Sequence, residues 1–341
     1  MSPSVGDKGT TVPDGCGGYL FLKAATPTLN DKGSLINVPG SLPVFIKTPA
    51  PAPSAKGTLV DVPGSLPVFT SSVATPAVGT LVNYWVPQGN FGIYEGSGEG
   101  IWVTDGNRTV THYTSSGSFV AQFTTSGYEQ TDLVVDTAGN VYLISQYDVS
   151  AYSPAGVLIK HWSINGGFPN RIAIDGDNNL YVPNGPSIDI YSTSGTLLNS
   201  FLYASGNSAV ISGIAVDGAG NVYLASDYPT EFIARFNSGS YSQAWVVNTV
   251  GSGNGQINSP CGITVDSTLG YVYISDFGNL RIQVFTGAGI YKAQWNSFYM
   301  NSILTYFSQQ QASMFDLTID QNHGIYIGWN SYILKFQGLT T

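Results

Sequence analysis

Charged residues and cysteines are scarce in this chain of 341 residues. Only 10% of the residues are charged, and 12 Lys and Arg, scattered singly, stand against 21 Asp and Glu, which gives a net charge of −9. Because no basic stripe is present to neutralise phosphates, the sequence argues against nucleic acid or an anionic membrane as a partner. The two cysteines, Cys16 and Cys261, lie far apart and show neither metal-binding nor redox spacing, so no disulfide framework is expected.

Long apolar runs and catalytic motifs are missing as well. A run of about 18 apolar residues, which would predict a membrane-spanning helix, does not occur. The first residues, MSPSVGDKGTTVPDG, have neither the basic nor the apolar region of a secretory leader, so we expect no signal peptide. No nucleophile elbow, phosphate-binding loop or His-Glu-x-x-His zinc motif occurs, and the chain has only 3 His. The sequence therefore predicts no catalytic residues, no metal site and no cofactor.

Glycine and tyrosine are abundant, with 41 and 21 copies. A composition rich in turn residues and aromatics and poor in charge is typical of an all-β protein. The length is sufficient for one large domain or two ordinary ones. Two different internal repeats divide the chain, one within residues 1–79 and the other within residues 80–341.

A repeat of 24 residues fills the first part of the chain, with copies that begin at Lys8, Lys32 and Lys56. The second and third copies, KGSLINVPGSLPVF and KGTLVDVPGSLPVF, are nearly identical. Each copy predicts two short apolar strands separated by Pro, which alone bury too little surface to fold. One interpretation is a flexible linker. We favour an assembly arm, because a linker does not need Leu, Val and Phe at fixed positions. The predicted docking residues are Leu35, Val38, Leu42, Val44, Phe45, Leu59, Val62, Leu66, Val68 and Phe69.

A longer repeat, of about 40 residues with four predicted strands, is typical of a β-propeller blade. Six units follow one another. Their first strands end with an acid: Glu95, Asp136, Asp175, Asp217, Asp266 and Asp320. Their second strands each carry an aromatic: Trp102, Tyr142, Tyr181, Tyr223, Tyr273 and Tyr326. The third and fourth strands also end in aromatics, which we expect to pack between the blades.

The sixth unit lacks a fourth strand after Phe336. The segment LVNYWV, with Trp85 in the register of the fourth-strand aromatics, precedes the first unit and has no earlier strands of its own. We therefore predict an all-β, six-bladed β-propeller in which this N-terminal strand closes the last blade, preceded by an extended arm. Closure of the ring removes sheet edges that would otherwise aggregate.

The six acids predict a structural role. An Asp that ends a strand before x-x-Gly-Asn can accept hydrogen bonds from the N–H groups of its own turn. The segment Asp175-Gly-Asp177-Asn-Asn179 superficially resembles the start of a calcium loop, but it lacks the later Glu and stands at the ordinary turn position.

The repeated unit resembles the NHL repeat, a family of six-bladed propellers. Asp276 to Gly289, DFGNLRIQVFTGAG, is similar to the N-x-R-I-Q-x-F strand of that family, and Val135 to Tyr142 and Val216 to Tyr223 keep its V-D-x-x-G-N-x-Y hairpin. The resemblance covers roughly Leu81 to Phe336. It implies the fold more than the function, because the fold hosts lyases, lactonase-like enzymes, RNA binders and protein-binding modules.

Enzymatic members of such families imply sites that this sequence does not match. Lyase-type members hold a channel metal with His from inner strands, whereas His112, His161 and His323 fall on a third strand, a fourth strand and a first turn. Lactonase-like members need a Glu/Asn/Asp cluster around the channel, which we do not find at matching positions. RNA-binding members use a basic face, which the charge balance does not provide.

The connection between the fifth and sixth units, residues 296–315, is unusually long and rich in aromatics. A long loop in a compact fold is usually functional or folded on itself, so it predicts either a plug for the channel mouth or a contact with a partner. Loops after the second strands add further aromatics to the same face. The predicted partner-binding residues are Phe298, Tyr299, Met300, Tyr306, Phe307, Tyr228, Phe277 and Trp329.

Together these features favour a non-catalytic structural and recognition protein, displayed on a virion, a phage tail or capsid appendage, or an extracellular filament, and anchored by its N-terminal arm. The expected partners are other copies of the chain, as a homo-oligomer, or other subunits of an assembly, and a host surface glycan or protein is a further candidate. Two alternatives remain open. One is a propeller enzyme, a metal-dependent lyase or lactone hydrolase, and the other is an intracellular protein-binding scaffold.

Overall fold

The computed structural model describes residues 9–13, 19–23, 34–36, 44–46, 58–60, 68–70, 81–85, 92–96, 100–106, 108–126, 130–145, 147–164, 169–203, 210–296, 314–329 and 332–340. Within these ranges the regular elements are strands, apart from one 3-10 turn at Phe277–Asn279. In the same ranges no helix is long and apolar enough to cross a bilayer. The chain divides into two compact units, Met1–Val73 and Ala74–Thr341.

The first unit contains three antiparallel strand pairs. These are β1 (Gly9–Pro13) with β2 (Tyr19–Lys23), β3 (Ser34–Ile36) with β4 (Val44–Ile46), and β5 (Thr58–Val60) with β6 (Val68–Thr70). Leu35 lies opposite Phe45 in the second pair, and Leu59 lies opposite Phe69 in the third. The 24-residue repeat of the sequence is therefore a repeat of one strand pair in one register. Val38, Leu42, Val62 and Leu66 lie outside the described residues, as do the side chains of the other predicted docking residues.

The second unit begins with β7 (Leu81–Trp85) and builds six four-stranded antiparallel sheets. The remaining strands follow by blade. Blade 1 consists of β8 (Gly92–Gly96), β9 (Gly100–Thr104), β10 (Thr109–Tyr113) and β11 (Phe119–Thr124). Blade 2 consists of β12 (Gln130–Val135), β13 (Val141–Ser145), β14 (Asp148–Tyr152) and β15 (Leu158–Ser163). Blade 3 consists of β16 (Ala173–Ile174), β17 (Leu180–Asn184), β18 (Ser187–Tyr191) and β19 (Leu197–Leu202).

The other three blades repeat this order. Blade 4 consists of β20 (Val210–Val216), β21 (Val222–Tyr228), β22 (Phe232–Phe236) and β23 (Gln243–Val247). Blade 5 consists of β24 (Pro260–Asp266), β25 (Tyr271–Asp276), β26 (Arg281–Thr286) and β27 (Tyr291–Asn296). Blade 6 consists of β28 (Met314–Ile319), β29 (Gly324–Trp329), β30 (Tyr332–Gln337) and β7.

The first strands of neighbouring blades contact one another all the way around a central channel. Contacts join β8 to β12, β12 to β16, β16 to β20, β20 to β24, β24 to β28 and β28 back to β8. This arrangement confirms the predicted six-bladed β-propeller.

The ring closes through β7. This strand pairs antiparallel with β30, with Trp85 opposite Ile333 and Leu81 opposite Phe336. The outer strand of the last blade therefore comes from sequence that precedes the first blade, as predicted. Asn83 also donates from its Nδ2 to the Ser116 carbonyl at 2.9 Å, which ties this strand to blade 1.

The hydrophobic core lies between the blades. Each apolar cluster joins two neighbours; one, for example, combines Tyr181 and Ile188 of blade 3 with Ile214 and Leu224 of blade 4. Second and third strands such as β13 and β14 are buried along their whole length, whereas the outer strand β15 is mostly exposed. Because both faces of the middle strands are covered, they are apolar without strict alternation.

The outer aromatics pack on a glycine of the following blade. Gly195, in the turn between β18 and β19, has φ +79°, and a Cβ added there would lie 2.7 Å from the Trp162 ring of blade 2. The Ser-Gly turns of the repeat therefore need glycine twice, once for the left-handed backbone and once for the ring contact. The same contact joins Gly156 to Phe123 and Gly289 to Trp245.

The acids at the ends of the inner strands organise their own turns. Asp136 Oδ1 accepts hydrogen bonds from the N–H groups of Ala138 at 2.9 Å and Asn140 at 2.8 Å, which confirms the predicted role. The Tyr142 hydroxyl donates to the other carboxylate oxygen at 3.0 Å. Burial, followed by the hydrogen bond and charge of Asp136, raises the pKa of Tyr142, so the phenol stays a donor. The same Tyr–Asp bond recurs in Tyr181–Asp175, Tyr223–Asp217 and Tyr326–Asp320.

The N-x-R-I-Q segment holds the loop that enters blade 5. The Arg281 guanidinium, 4% exposed, bonds Asp276 Oδ2 at 2.6 Å. It also donates to the carbonyls of Ser252 at 2.9 Å, Gly253 at 2.9 Å and Gln256 at 2.7 Å. One buried cation thus satisfies three loop carbonyls at once.

Asn279 and Gln283 complete this arrangement. Asn279 Nδ2 donates to the Gly251 carbonyl at 2.9 Å, and Gln283 Nε2 donates to the Gln256 carbonyl at 2.6 Å. Asn279, Arg281 and Gln283, the polar residues that carry the sequence resemblance, therefore hold the loop that enters blade 5. Their contacts account for the local fold.

Candidate functional site at the channel mouth

The inner strands all begin at one end of the central channel. The residue four positions before the turn acid is Asp132 in blade 2, Arg171 in blade 3 and Asp316 in blade 6, while blades 4 and 5 have Gly213 and Gly262 there. The channel encloses a cavity of about 190 Å³ lined by all six inner strands, and these three charged side chains are part of its wall. We call Asp132, Arg171 and Asp316 the mouth triad.

The two carboxyls of the mouth triad join neighbouring blades. Asp132 Oδ2 accepts a hydrogen bond from the Ile172 N–H of blade 3 at 3.1 Å, and its Oδ1 accepts one from Leu133 at 2.8 Å. Asp316 accepts from the Leu317 N–H at 2.8 Å and from the Ile93 N–H of blade 1. Each carboxyl therefore satisfies a backbone donor on the next inner strand, which is a structural task independent of any ligand.

The carboxyls also interact with each other. Asp132 and Asp316 are 4% and 9% exposed, and their side chains share a hydrogen bond. Burial and then the charge of Asp316 raise the pKa of Asp132 well above its usual range, although Arg171 opposes the shift. Burial likewise raises the pKa of Asp316. Two adjacent buried carboxyls cannot both ionise without a large cost, so the pair shares a proton and titrates as a unit.

Arg171 balances the remaining negative charge. Its Nε donates to the Ser212 carbonyl of blade 4 at 2.6 Å. With one carboxylate, one carboxylic acid and one guanidinium, the mouth triad is neutral while the pair holds its proton. It offers both hydrogen-bond donors and acceptors to a small polar group that enters the channel.

Cys261 lies beside the mouth triad but is not activated. Burial, followed by the charge of Asp227, raises the pKa of the thiol to about 11, while Arg171 opposes the shift. The thiol is therefore protonated at neutral pH and is a poor nucleophile. Its sulfur lies 3.5 Å from the Ser259 carbonyl. Cys16 lies outside the described residues.

The donor set of the channel does not fit the metal site of a lyase-type propeller. No group of three or more His, Cys, Asp or Glu side chains is placed to hold a metal within the described parts of the chain. His112 lies on β10 and stacks on Trp102 with ring centroids 4.2 Å apart, and His161 lies on β15. His323, in the turn after β28, contacts Asp266. A guanidinium beside two proton-sharing carboxyls also opposes a cation.

Three of the predicted partner-binding residues lie on the same face as the mouth triad. Tyr228 pairs with Val210 at the start of β20, Trp329 pairs with Met314 at the start of β28, and Phe277 follows directly after β25. Tyr228 is 69% exposed and Phe277 is partly exposed. The side chain of Trp329 lies outside what the structure describes. So do Phe298, Tyr299, Met300, Tyr306 and Phe307.

Sequence reasoning missed the mouth triad. The six acids at the strand ends drew attention because they repeat, whereas Asp132 and Asp316 occupy a position that is glycine in blades 4 and 5. The available signal was the alignment of the six inner strands. An acid at the first inner position breaks an otherwise apolar or glycine pattern, and such breaks indicate a task beyond packing.

The fold and the mouth triad define the class of protein: a six-bladed β-propeller with a polar channel mouth. Comparison with protein-family models and with curated protein sequences gives no match. The class therefore rests on the strand order and the ring of blade contacts.

Proposed function

We propose that this chain is a non-catalytic structural and recognition protein whose propeller is displayed on a larger assembly and held there by its N-terminal arm. The observation that carries the proposal is the arm itself. Two of its strand pairs place Leu opposite Phe in the same register, 24 residues apart, as Leu35–Phe45 and Leu59–Phe69. Repetition of an apolar pair at fixed spacing suits attachment to repeated surfaces.

The class of assembly we propose is a virion, a phage tail or capsid appendage, or an extracellular filament, where the protein lies outside the cell. Low charge, with 10% charged residues, and 41 Gly and 21 Tyr among 341 residues support a rigid, turn-rich display module. A host surface glycan or protein is the recognition partner we propose for the face that carries Tyr228, because an exposed aromatic among polar residues suits stacking.

We also propose that the propeller is of the NHL type. The support is the set of contacts made by Asn279, Arg281 and Gln283, which are the residues that resemble that family. All three side chains donate hydrogen bonds to the loop before β24, and this shared role gives a physical reason for the spacing of the motif.

Size-exclusion chromatography of the chain with and without residues 1–79 tests the assembly role. The second unit contains every strand of the ring, so the shortened chain retains a complete propeller. We expect the full chain to elute as an assembly and the shortened chain as a monomer with an unchanged circular dichroism spectrum. An arm-deleted chain that assembles as before would refute the proposal.

The mouth triad favours one other function, a channel enzyme of the lactone hydrolase type. A buried carboxylic acid with a raised pKa can act as a general acid, and such groups are common in active sites. Turnover of simple lactones by the purified chain, abolished by Asp132→Asn, would establish this function in place of the first.

A further inference from the structure

The outer strands of the first three blades carry exposed apolar side chains. Each blade contributes two consecutive residues, which we call the apolar rim: Phe119 and Val120, Leu158 and Ile159, and Leu197 and Leu198. All six side chains are between 48% and 64% exposed. The two residues of each pair are adjacent in their strand, and exposed apolar residues that adjoin one another mark interaction surfaces.

Blades 4 and 5 differ at the same structural position, whereas blade 6 has the half-buried Val82 there. In each outer strand the pairing with the third strand skips one residue, which forms a β-bulge; the skipped residues are Val120, Ile159, Leu198, Ala244, Lys292 and Val82 in blades 1 to 6. Blade 4 therefore has a small side chain there and blade 5 has an exposed Lys. Since the fold accepts Lys292 at this position, the large apolar residues of blades 1 to 3 are not required by the blade itself.

The bulges decide how a partner can bind. Outer strands β11, β15 and β19 are each the last strand in the hydrogen-bonded order of their sheets. A bulge turns the edge of a strand away from a regular ladder and so opposes the addition of a further strand. A partner therefore binds the apolar rim through side-chain contacts.

The arm supplies an occupant with matching chemistry. Its repeats carry Leu, Val and Phe, and the span SLINVPGSLPVFI of the second copy contains no charged residue. Three arm repeats match three rim-bearing blades in number. The chain also has a net charge of −9, so contact between two copies is most favourable where neither surface is acidic, and no Asp or Glu lies in β11, β15 or β19.

We propose that the apolar rim of blades 1 to 3 is the docking surface for the arm strand pairs of a second copy of this chain. The inference rests on the proposed assembly role of the arm and names the surface that receives it. In this contact the arm of one copy is the donor segment and the apolar rim of the next copy is the acceptor surface. Head-to-tail contacts of this kind build rings or filaments.

The test uses full-length variants that remove the donor or the acceptor separately. The acceptor variant carries Val120→Lys, Ile159→Lys and Leu198→Lys, each at a bulge position where blade 5 already has Lys. The matched control carries Val210→Lys, Val250→Lys and Ile290→Lys, which make the same charge change at exposed apolar residues of blades 4 and 5. The donor variant carries Phe21→Ser, Phe45→Ser and Phe69→Ser, one change in each arm strand pair.

Sedimentation velocity measures self-association of each chain, after circular dichroism has shown that it is folded. We expect the acceptor variant and the donor variant to associate on the order of 100-fold more weakly than the wild-type chain, and the control to associate normally. A mixture of donor and acceptor variants should form a complex of two, because one chain keeps its arm and the other keeps its rim.

The possible outcomes separate the two ideas. A monomeric donor variant together with an acceptor variant that assembles like the wild type would overturn the rim as the docking surface and leave the arm's role intact. A donor variant that assembles normally, or a wild-type chain that stays monomeric, would overturn both. A control that loses assembly as fully as the acceptor variant would show that charge, and not the rim, controls association, which also overturns the inference.

Discussion

The mouth triad occupies one position that recurs in each inner strand around the ring. The space between neighbouring blades limits which side chains fit at that position. A Cβ at Gly213 would lie 2.8 Å from the Cys261 carbonyl, so any side chain there would force the backbone of blade 5 to shift. Where the blades leave room, a carboxyl takes the place and accepts the N–H group of the next inner strand. With glycine in blades 4 and 5, the charged side chains of the channel mouth come from blades 2, 3 and 6.

The shared proton of Asp132 and Asp316 predicts a pH dependence. The folded pKa values are raised above the ordinary 3.8, so the folded chain keeps a proton that the unfolded chain releases. The free energy of unfolding should therefore fall as pH rises above about 4, by about 1.4 kcal/mol for each unit of pKa shift. Asp316→Asn replaces the acid by an amide that cannot ionise, and it should flatten this slope.

Urea unfolding at a series of pH values between 4 and 8 measures the effect. The slope is the readout because a changed hydrogen bond to Ile93 shifts the whole curve without changing its shape. Asp177→Asn, at an exposed turn residue, is the matched control and should leave the slope of the wild-type chain unaltered. If Asp316→Asn also leaves it unaltered, the carboxyls do not share a proton.

At the scale of the elements, Arg281 makes more hydrogen bonds to the loop before β24 than Asn279 or Gln283 does. Residues 249–258 form no regular strand beyond one isolated bridge between Val250 and Ile257, and three of their carbonyls accept hydrogen bonds from Arg281. A planar guanidinium can donate in several directions at once, which an ammonium group cannot. The loop is thus held by hydrogen-bond geometry more than by charge.

Arg281→Lys should therefore cost more stability than a conservative exchange suggests. Arg281 donates to five acceptors, which are the three loop carbonyls, Asp276 Oδ2 and Gln294 Oε1. Lysine has three donors, so at least two of these hydrogen bonds are lost, at roughly 0.5–1.5 kcal/mol for each bond. Urea unfolding should show the loss, and hydrogen exchange should speed up in residues 249–258. Arg235→Lys is the control, since in the described part of the chain the Arg235 guanidinium donates to a single carbonyl, from Nη1 to Gly287 at 3.3 Å. Equal losses in both variants would contradict this explanation.

The blades were predictable from the sequence because their pattern repeats. Acids such as Asp136, aromatics such as Trp162 and the Ser-Gly turns recur at one position, and each recurrence reports the same packing need. The hydrogen bond from the Tyr142 hydroxyl to Asp136 was not predictable. Packing of the buried ring is by itself sufficient to explain a tyrosine at that position. The mouth triad was missed because an acid stands at this position in blades 2 and 6 alone, and only the closed ring brings those two carboxyls together.

For the whole molecule, ring closure couples the two ends of the second unit. Strand β7 covers the outer edge of β30, buries Tyr84 and reaches blade 1 through Asn83. Without it, β30 would become an edge strand in a sheet of three, with its apolar face open. Exposed edges of this kind promote association between chains.

The role of β7 can be separated from that of the arm by two truncations. A chain that begins at residue 80 retains β7, whereas one that begins at residue 87 loses it. We expect the first to unfold at the same temperature as the ring of the full chain. The second should lose several kcal/mol, since burial of one large apolar side chain alone contributes about 1.5–3 kcal/mol, and it should aggregate through β30.

Differential scanning calorimetry and light scattering measure the two effects, and Asn83→Ala in the full chain shows how much comes from the single hydrogen bond to the Ser116 carbonyl.

A synthetic peptide of residues 80–86 should restore part of the lost transition temperature when it is added to the chain that begins at residue 87. The reason is that the pairing of β7 with β30 does not need a covalent link, only the complementary edge. Equal melting of the two truncated chains would mean that blade 6 is stable with three strands and that closure by the N-terminal strand is not what holds the ring.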